Sequence, residues 1–112
     1  MKKIEVIIRP EKLESVQRAL EKVGYSGLMI SEIEGHGKQK GIVQQWRGEK
    51  YKVELLPKIK IEIIVKDDEV ERIIKTIVDS AKTGEIGDGK IFISPVENAV
   101  RIRTGEKGEQ AI

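Results

Sequence analysis

Residues 83 to 90 read Thr83-Gly84-Glu85-Ile86-Gly87-Asp88-Gly89-Lys90. Glycines leave backbone N–H groups open to a ligand, and a lysine beside them adds a point charge, so such a stretch can form an anion nest for phosphates. Gly84 to Lys90 also spells the G-x-x-x-x-G-K of a nucleotide P-loop, but Ile91 stands where Ser or Thr would hold magnesium. The context is inverted as well. A P-loop runs from strand into helix, whereas this segment leaves a helical pattern and enters a strand, so P-loop ATPase chemistry is not implied. The plainer reading is a glycine helix terminator followed by a tight turn. Arg101 and Arg103 shift the balance toward phosphate. Two residues apart on an expected final strand, they put two guanidinium groups on one face, and that geometry suits phosphate oxygens. Lys58 and Lys90 are further cations expected to converge on the same pocket.

Most other chemistries lack their residues. With no cysteine there is no disulfide, thiolate metal site or Cys nucleophile. The single histidine, His36, excludes a multi-His metal cage and is all that a Ser/His/Asp triad could use. Glu62 or Glu85 could serve as the base of a small nucleotide hydrolase, although carboxylates on strand faces and loops are more often solvated or paired. The charge is small, 21 Lys and Arg against 19 Asp and Glu for a net +2, so a globally basic, phosphate-coating protein is not expected. No apolar run approaches the ~20 residues of a membrane span, and the N-terminus lacks an apolar signal core. The expected location is cytoplasmic, without direct membrane insertion.

The elements that must position these groups follow from hydrophobic spacing. The 112 residues fit one domain, 1–112, with an apolar content of 38% dominated by Ile and Val, which favours sheet. From Lys3 to Arg9 the chain alternates, with Ile4, Val6 and Ile8 on one face of a strand. Pro10 then opens a helix carrying Leu13, Val16, Leu20 and Val23, which Gly24 ends. A second strand runs from Leu28 to Glu34. Ile59, Ile61, Ile63 and Val65 mark a third. Asp68 and Glu71 have the spacing of a capping box for a second helix, whose stripe is Val70, Ile73, Ile74, Ile77, Val78 and Ala81. Short strands are expected at Ile91–Ile93 and Ala99–Arg103. Two β-α-β halves of similar size predict an α+β, ferredoxin-like double split β-α-β sandwich: one four-stranded antiparallel sheet with both helices on one face. Its other face would show Ile7 and Ile64 amid Glu5, Lys60 and Glu62. Burial against other subunits in cyclic symmetry accounts for that mixture, and a solvated face is the alternative.

A connection of roughly twenty residues joins the second and third strands, and connections longer than ~12–15 residues are uncommon in compact domains and usually functional or disordered. Residues 36–60 hold seven Lys or Arg and two Glu, so the small net charge conceals a basic arm on a slightly acidic body. Trp46 and Tyr51 lie in this connection, either as anchors onto the body or as contacts for a partner protein. Nucleic acid is not expected. Base stacking needs aromatics on the sheet face, and the strands offer only Phe92.

The chain contains, in order, Gly37-Lys38-Gln39-Lys40-Gly41, Arg47-Gly48-x-x-Tyr51, Leu56-Pro57-Lys58, Thr83-x-x-x-Gly87-Asp88-Gly89-Lys90-Ile91-Phe92 and Arg101-Ile102-Arg103-Thr104-Gly105-Glu106. On these motifs the sequence resembles the PII signal-transduction family, sensors of nitrogen and energy status, along residues 1–112. The resemblance implies a homotrimer with ATP or ADP in each inter-subunit cleft. Gly87, Asp88, Gly89 and Lys90, in a phosphate-binding loop at 82–90, would cradle the phosphates. Arg101 and Arg103, in a C-terminal segment at 101–112, would reach in from the neighbouring subunit. Ile7, Met29 and Ile64 would line the adenine side, and Gly35, Gly37 and Lys38 would close the entrance. Gln39 would help hold a magnesium bridging ATP to 2-oxoglutarate, with Lys58 pairing that acid's carboxylate. Residues 37–55 would be the regulatory T-loop, meeting an ammonium transporter or nitrogen-metabolism enzymes. Tyr51 would be the acceptor of a uridylyltransferase.

The sequence departs from the family pattern in three places, two single residues and one pair. His36 replaces a commoner Phe. Lys38 replaces an Arg, keeping charge and losing bidentate geometry. Glu49-Lys50 replaces a small-then-acidic pair before Tyr51. The resemblance implies a switch rather than a catalyst, in which effectors move the loop through their differential affinity for its conformations. A related trimeric ferredoxin-like metal-tolerance or amino-acid-sensing module is the alternative resemblance. Missing thiols weigh against the metal version and the many phosphate-seeking cations against the amino-acid version.

Overall fold

Ile4, Val6 and Ile8 are buried while their neighbours Lys3, Glu5 and Ile7 are not, which is the alternation of a strand with one face on a core. The computed structural model describes residues 1–36, 43–46, 49–52 and 55–112, with side chains at 1–35 and 56–112. Its elements are β1 (Lys2–Ile8), α1 (Leu13–Lys22), β2 (Met29–His36), β3 (Val43–Trp46), β4 (Glu49–Lys52), β5 (Leu55–Val65), α2 (Val70–Ala81) and β6 (Gly89–Pro95). The main sheet has the order β2-β5-β1-β6, antiparallel throughout. Each helix thus crosses over a strand of the other half, the interleaving expected of a split β-α-β sandwich.

One face of this sheet meets both helices. Ile4, Val6 and Ile8 of β1 join Ile59, Ile61, Ile63 and Val65 of β5 in a cluster with Val16 and Leu20 of α1 and Ile73, Ile77 and Ala81 of α2. Burying a large aliphatic side chain contributes about 1.5–3 kcal/mol, so these aliphatics outweigh any single surface ion pair. Val78 is the exception within the α2 stripe, exposed beside β6.

Helix ends follow local chemistry. A 3₁₀ turn, Pro10–Lys12, precedes α1, with proline at the position where a missing N–H costs nothing. Gly24, at φ +96°, donates to Glu21 O (3.0 Å) while Tyr25 N donates to Leu20 O (2.9 Å), a Schellman closure. The expected capping box on α2 does not form. A 3₁₀ turn, Asp67–Glu69, takes up Asp68 and moves the helix start to Val70, so Asp68 and Glu71 no longer span the N-cap and N3 positions. Asp67 instead takes the N-terminal ammonium at 2.9 Å.

Two further expectations change. Part of the long connection is itself a ladder, with β3 and β4 paired antiparallel from Val43↔Lys52 to Trp46↔Glu49. Residues 99–103 are not a strand. Gly105, at φ +74°, reverses the chain, and Val100 makes one isolated bridge to Lys107. Arg101 and Arg103 therefore do not alternate along an extended segment.

Candidate functional site

The C-terminal end of β1, the middle of β5 and the start of β6 meet at the open face of the sheet. Residues paired across antiparallel strands share a face. Lys60, Ile7 and Lys90 are successive partners there, one rung from the Ile8↔Gly89 pair. Lys58 lies one same-face position further along β5, opposite Ile33 of β2. The segment from α2 to β6 arches beside these groups and encloses a cleft of about 710 Å³.

Gly89 sets how closely that segment approaches. Its φ is +112°, and a Cβ there would stand 1.8 Å from the Ile7 carbonyl oxygen. No L side chain fits. Gly87 is likewise left-handed, at φ +99°, so backbone rather than side chain faces the space around it.

Electrostatics fix the rest of the loop. Asp88 accepts hydrogen bonds from Thr83 N and Gly84 N, both at 2.9 Å, from the Thr83 hydroxyl, and from Arg9 Nε at 3.2 Å. These donors, the Thr83 hydroxyl foremost, hold its carboxyl well below the usual carboxylate range. Arg9 Nη2 also donates to Ile86 O at 2.9 Å. Lys58, only 8% exposed, donates from Nζ to Gly87 O at 3.0 Å. Burial, and then the Arg9 guanidinium, push the Lys58 pKa down, partly offset by Glu11 and Asp88. A buried ammonium with a lowered pKa gains when an anion arrives. The cleft is suited to polyphosphate or carboxylate.

Seven of the residues expected to bind nucleotide or effector line this cleft, Ile7, Gly35, Lys58, Gly87, Asp88, Gly89 and Lys90, and Glu85, one of the two candidate hydrolytic bases, lines it with them. Met29 and Ile64 share the open face but lie outside its lining, Met29 on the outer strand opposite Glu62 and Ile64 opposite Lys3. Arg101 and Arg103 do not line it within one chain. Arg101 donates to Glu106 Oε1 and to Gln110 O, both at 3.1 Å. Gly37, Lys38 and Gln39 lie outside the described residues. Tyr51 sits in β4 opposite Gln44, and its side chain is likewise outside them.

Of the two side chains that organise the loop, Thr83 heads the glycine-rich motif, whereas Arg9 belongs to no motif. The only sequence signal for Arg9 is its place immediately after a strand that ends at a glycine-rich partner. Glu62, a candidate hydrolytic base, is ion-paired with Lys3 (3.5 Å) and Lys60 (3.6 Å) and does not line the cleft. Among the described residues no group of three or more His, Cys, Asp or Glu could hold a metal ion. No helix among them is long and apolar enough to cross a membrane.

The model of the family described as nitrogen regulatory protein P-II matches residues 1–106. The chain is 56% identical to nitrogen regulatory protein P-II 2 of Methanothermobacter thermautotrophicus, over 100% of this chain and 97% of that one. It is 55% identical to nitrogen regulatory protein P-II of Azospirillum brasilense and 54% to that of Microchaete diplosiphon, with both chains covered in full.

Proposed function

The chain belongs to the P-II nitrogen regulatory protein family, and from that premise we propose that its cleft binds ATP or ADP and that 2-oxoglutarate joins magnesium-ATP at the root of the 37–55 loop. The family is one of regulators rather than enzymes, so the cleft is read as a sensor site. The observation that carries the reading is the convergence of the buried Lys58, the exposed Lys90 and the left-handed Gly87 and Gly89 on one space. Cations and open amides suit phosphate oxygens. Ile7 and Phe92 add the apolar wall that a base needs.

In this proposal each residue has a definite task. Gly87, Gly89 and the backbone of Asp88 offer amides, and Lys90 offers its ammonium to the phosphates. Lys58, restrained by Gly87 O, is the cation for the carboxylate of 2-oxoglutarate. Gly35 lines the cleft, and closing its entrance is the task proposed for it with Gly37 and Lys38. Magnesium would supply charge neutralisation between the phosphates and the acid, with Gln39 as the chain's own contribution. Met29, Ile64, Arg101 and Arg103 do not meet the cleft of one chain, which supports a homotrimer whose adjoining subunit delivers the two arginines.

The reading extends to partners. Ordering a segment through a phosphate-linked effector is an established switching mode. Residues 37–55, which include the β3–β4 ladder, are the segment proposed to reach an ammonium transporter or a nitrogen-metabolism enzyme, and Tyr51 within it is the candidate for uridylylation. A cytoplasmic location follows from these partners. Calorimetric titration with ATP and ADP, with sedimentation of the same sample, tests the core. The expected result is saturable binding by a species three times the 12.6 kDa chain. A monomer, or a chain that binds neither nucleotide, overturns it.

A further inference from the structure

A carboxylate in the wall of an anion cleft needs a reason. Asp88 lines the cleft with Lys58 and Lys90, and its side chain is 25% exposed. Like charges a few ångströms apart repel strongly away from bulk water, so a bare Asp88 would oppose any phosphate. Arg9 answers that charge from outside the glycine-lysine motif. It follows β1 directly, its side chain is only 13% exposed, and its guanidinium bridges Asp88 Oδ1 and Ile86 O. Through the carboxylate it also reaches the loop's first amides, those of Thr83 and Gly84.

We propose that Arg9 is a positioning and charge-balancing residue of the cleft, one that fixes the shape of the 83–90 loop and neutralises Asp88 so that highly charged nucleotides are admitted. The inference rests on the cleft being a nucleotide site and names what sets its preference for phosphate charge. Two separable effects follow. Loss of the bridge loosens the loop for every nucleotide alike. Loss of the positive charge penalises ATP more than AMP, because the uncovered carboxylate repels in proportion to ligand charge.

ATP and AMP titrated into the full chain and its variants separate these effects. Arg9→Gln is expected to weaken ATP roughly ten- to hundredfold and AMP only a few-fold, the size of a lost charge-assisted contact. Arg9→Lys keeps the charge but not the planar two-acceptor fork. It should lose a few-fold for both ligands and keep their ratio. Adding Asp88→Asn to Arg9→Gln should restore that ratio. Equal losses for ATP and AMP in Arg9→Gln, or an unchanged ATP affinity, overturn the proposal. If Arg9→Gln does not fold, Arg9→Lys decides: unaltered ATP affinity removes the positioning role, and a ratio shifted tenfold removes the charge role. Failure of the unmodified chain to bind ATP would instead overturn the nucleotide reading itself, and the two failures are thereby distinct.

Discussion

Gly89 and Ile7 pass so closely that a methyl group on the glycine would stand 1.8 Å from the Ile7 carbonyl oxygen. This contact joins the start of β6 to the end of β1, and so fixes the floor of the cleft. Gly89→Ala is expected to cost about 2–4 kcal/mol, since both the clash and the φ of +112° must be relieved. Gly84→Ala is the control. It has positive φ but nothing within 4 Å of the new Cβ, so its cost should be about 1 kcal/mol. Denaturant melts of the two variants check the difference.

Lys58 is buried, its pKa is lowered, and it holds the Gly87 carbonyl. Lys58→Met should leave stability within about 1.5 kcal/mol, because relief of the desolvated charge offsets the lost hydrogen bond. Affinity for 2-oxoglutarate should fall at least roughly tenfold, the loss expected of a charge-assisted contact. An unchanged affinity would remove Lys58 from the acid's site.

Asp88 predicts an acid-sensitive loop. Its folded pKa is depressed by Thr83, Gly84 and Arg9, so its contribution is fully present above the unfolded value near 3.9 and is lost as pH falls below it toward the folded value. The melting temperature should therefore fall more steeply with acid below about pH 4 in the unmodified chain than in Asp88→Asn. Parallel curves for the two proteins would contradict the depressed pKa.

Arg103 is exposed, and its role is proposed to lie in a neighbouring subunit. Arg103→Ala should change stability by no more than about 0.5 kcal/mol while weakening ATP several-fold. Arg101→Ala should weaken ATP and also loosen the terminal segment, because it frees Glu106 and the Gln110 carbonyl. Hydrogen exchange across residues 99–112 separates the two variants.

What could be read from sequence was whatever repeats or clusters along the chain. The alternation of Ile4, Val6 and Ile8 and of Ile59, Ile61 and Ile63 marked two central strands, and Gly24 marked a helix end by its type alone. The Gly87–Lys90 cluster and Lys58 were visible by residue type and do share one cleft. Contacts between distant segments were not visible. Arg9 meets Ile86 and Asp88 across 77 and 79 residues, and no local pattern foretells that. Asp68 misled because a 3₁₀ turn ahead of α2 shifts the helix start. The strand expected at Ala99–Arg103 did not form because Gly105 folds that segment onto itself rather than onto the sheet.

The central claim is that one ligand builds the site of another, so the decisive measurement is the calorimetric titration of 2-oxoglutarate with and without magnesium-ATP. Binding at least roughly tenfold tighter in the presence of magnesium-ATP, a coupling of ordinary allosteric size, is what the account predicts. The same affinity under both conditions would contradict it.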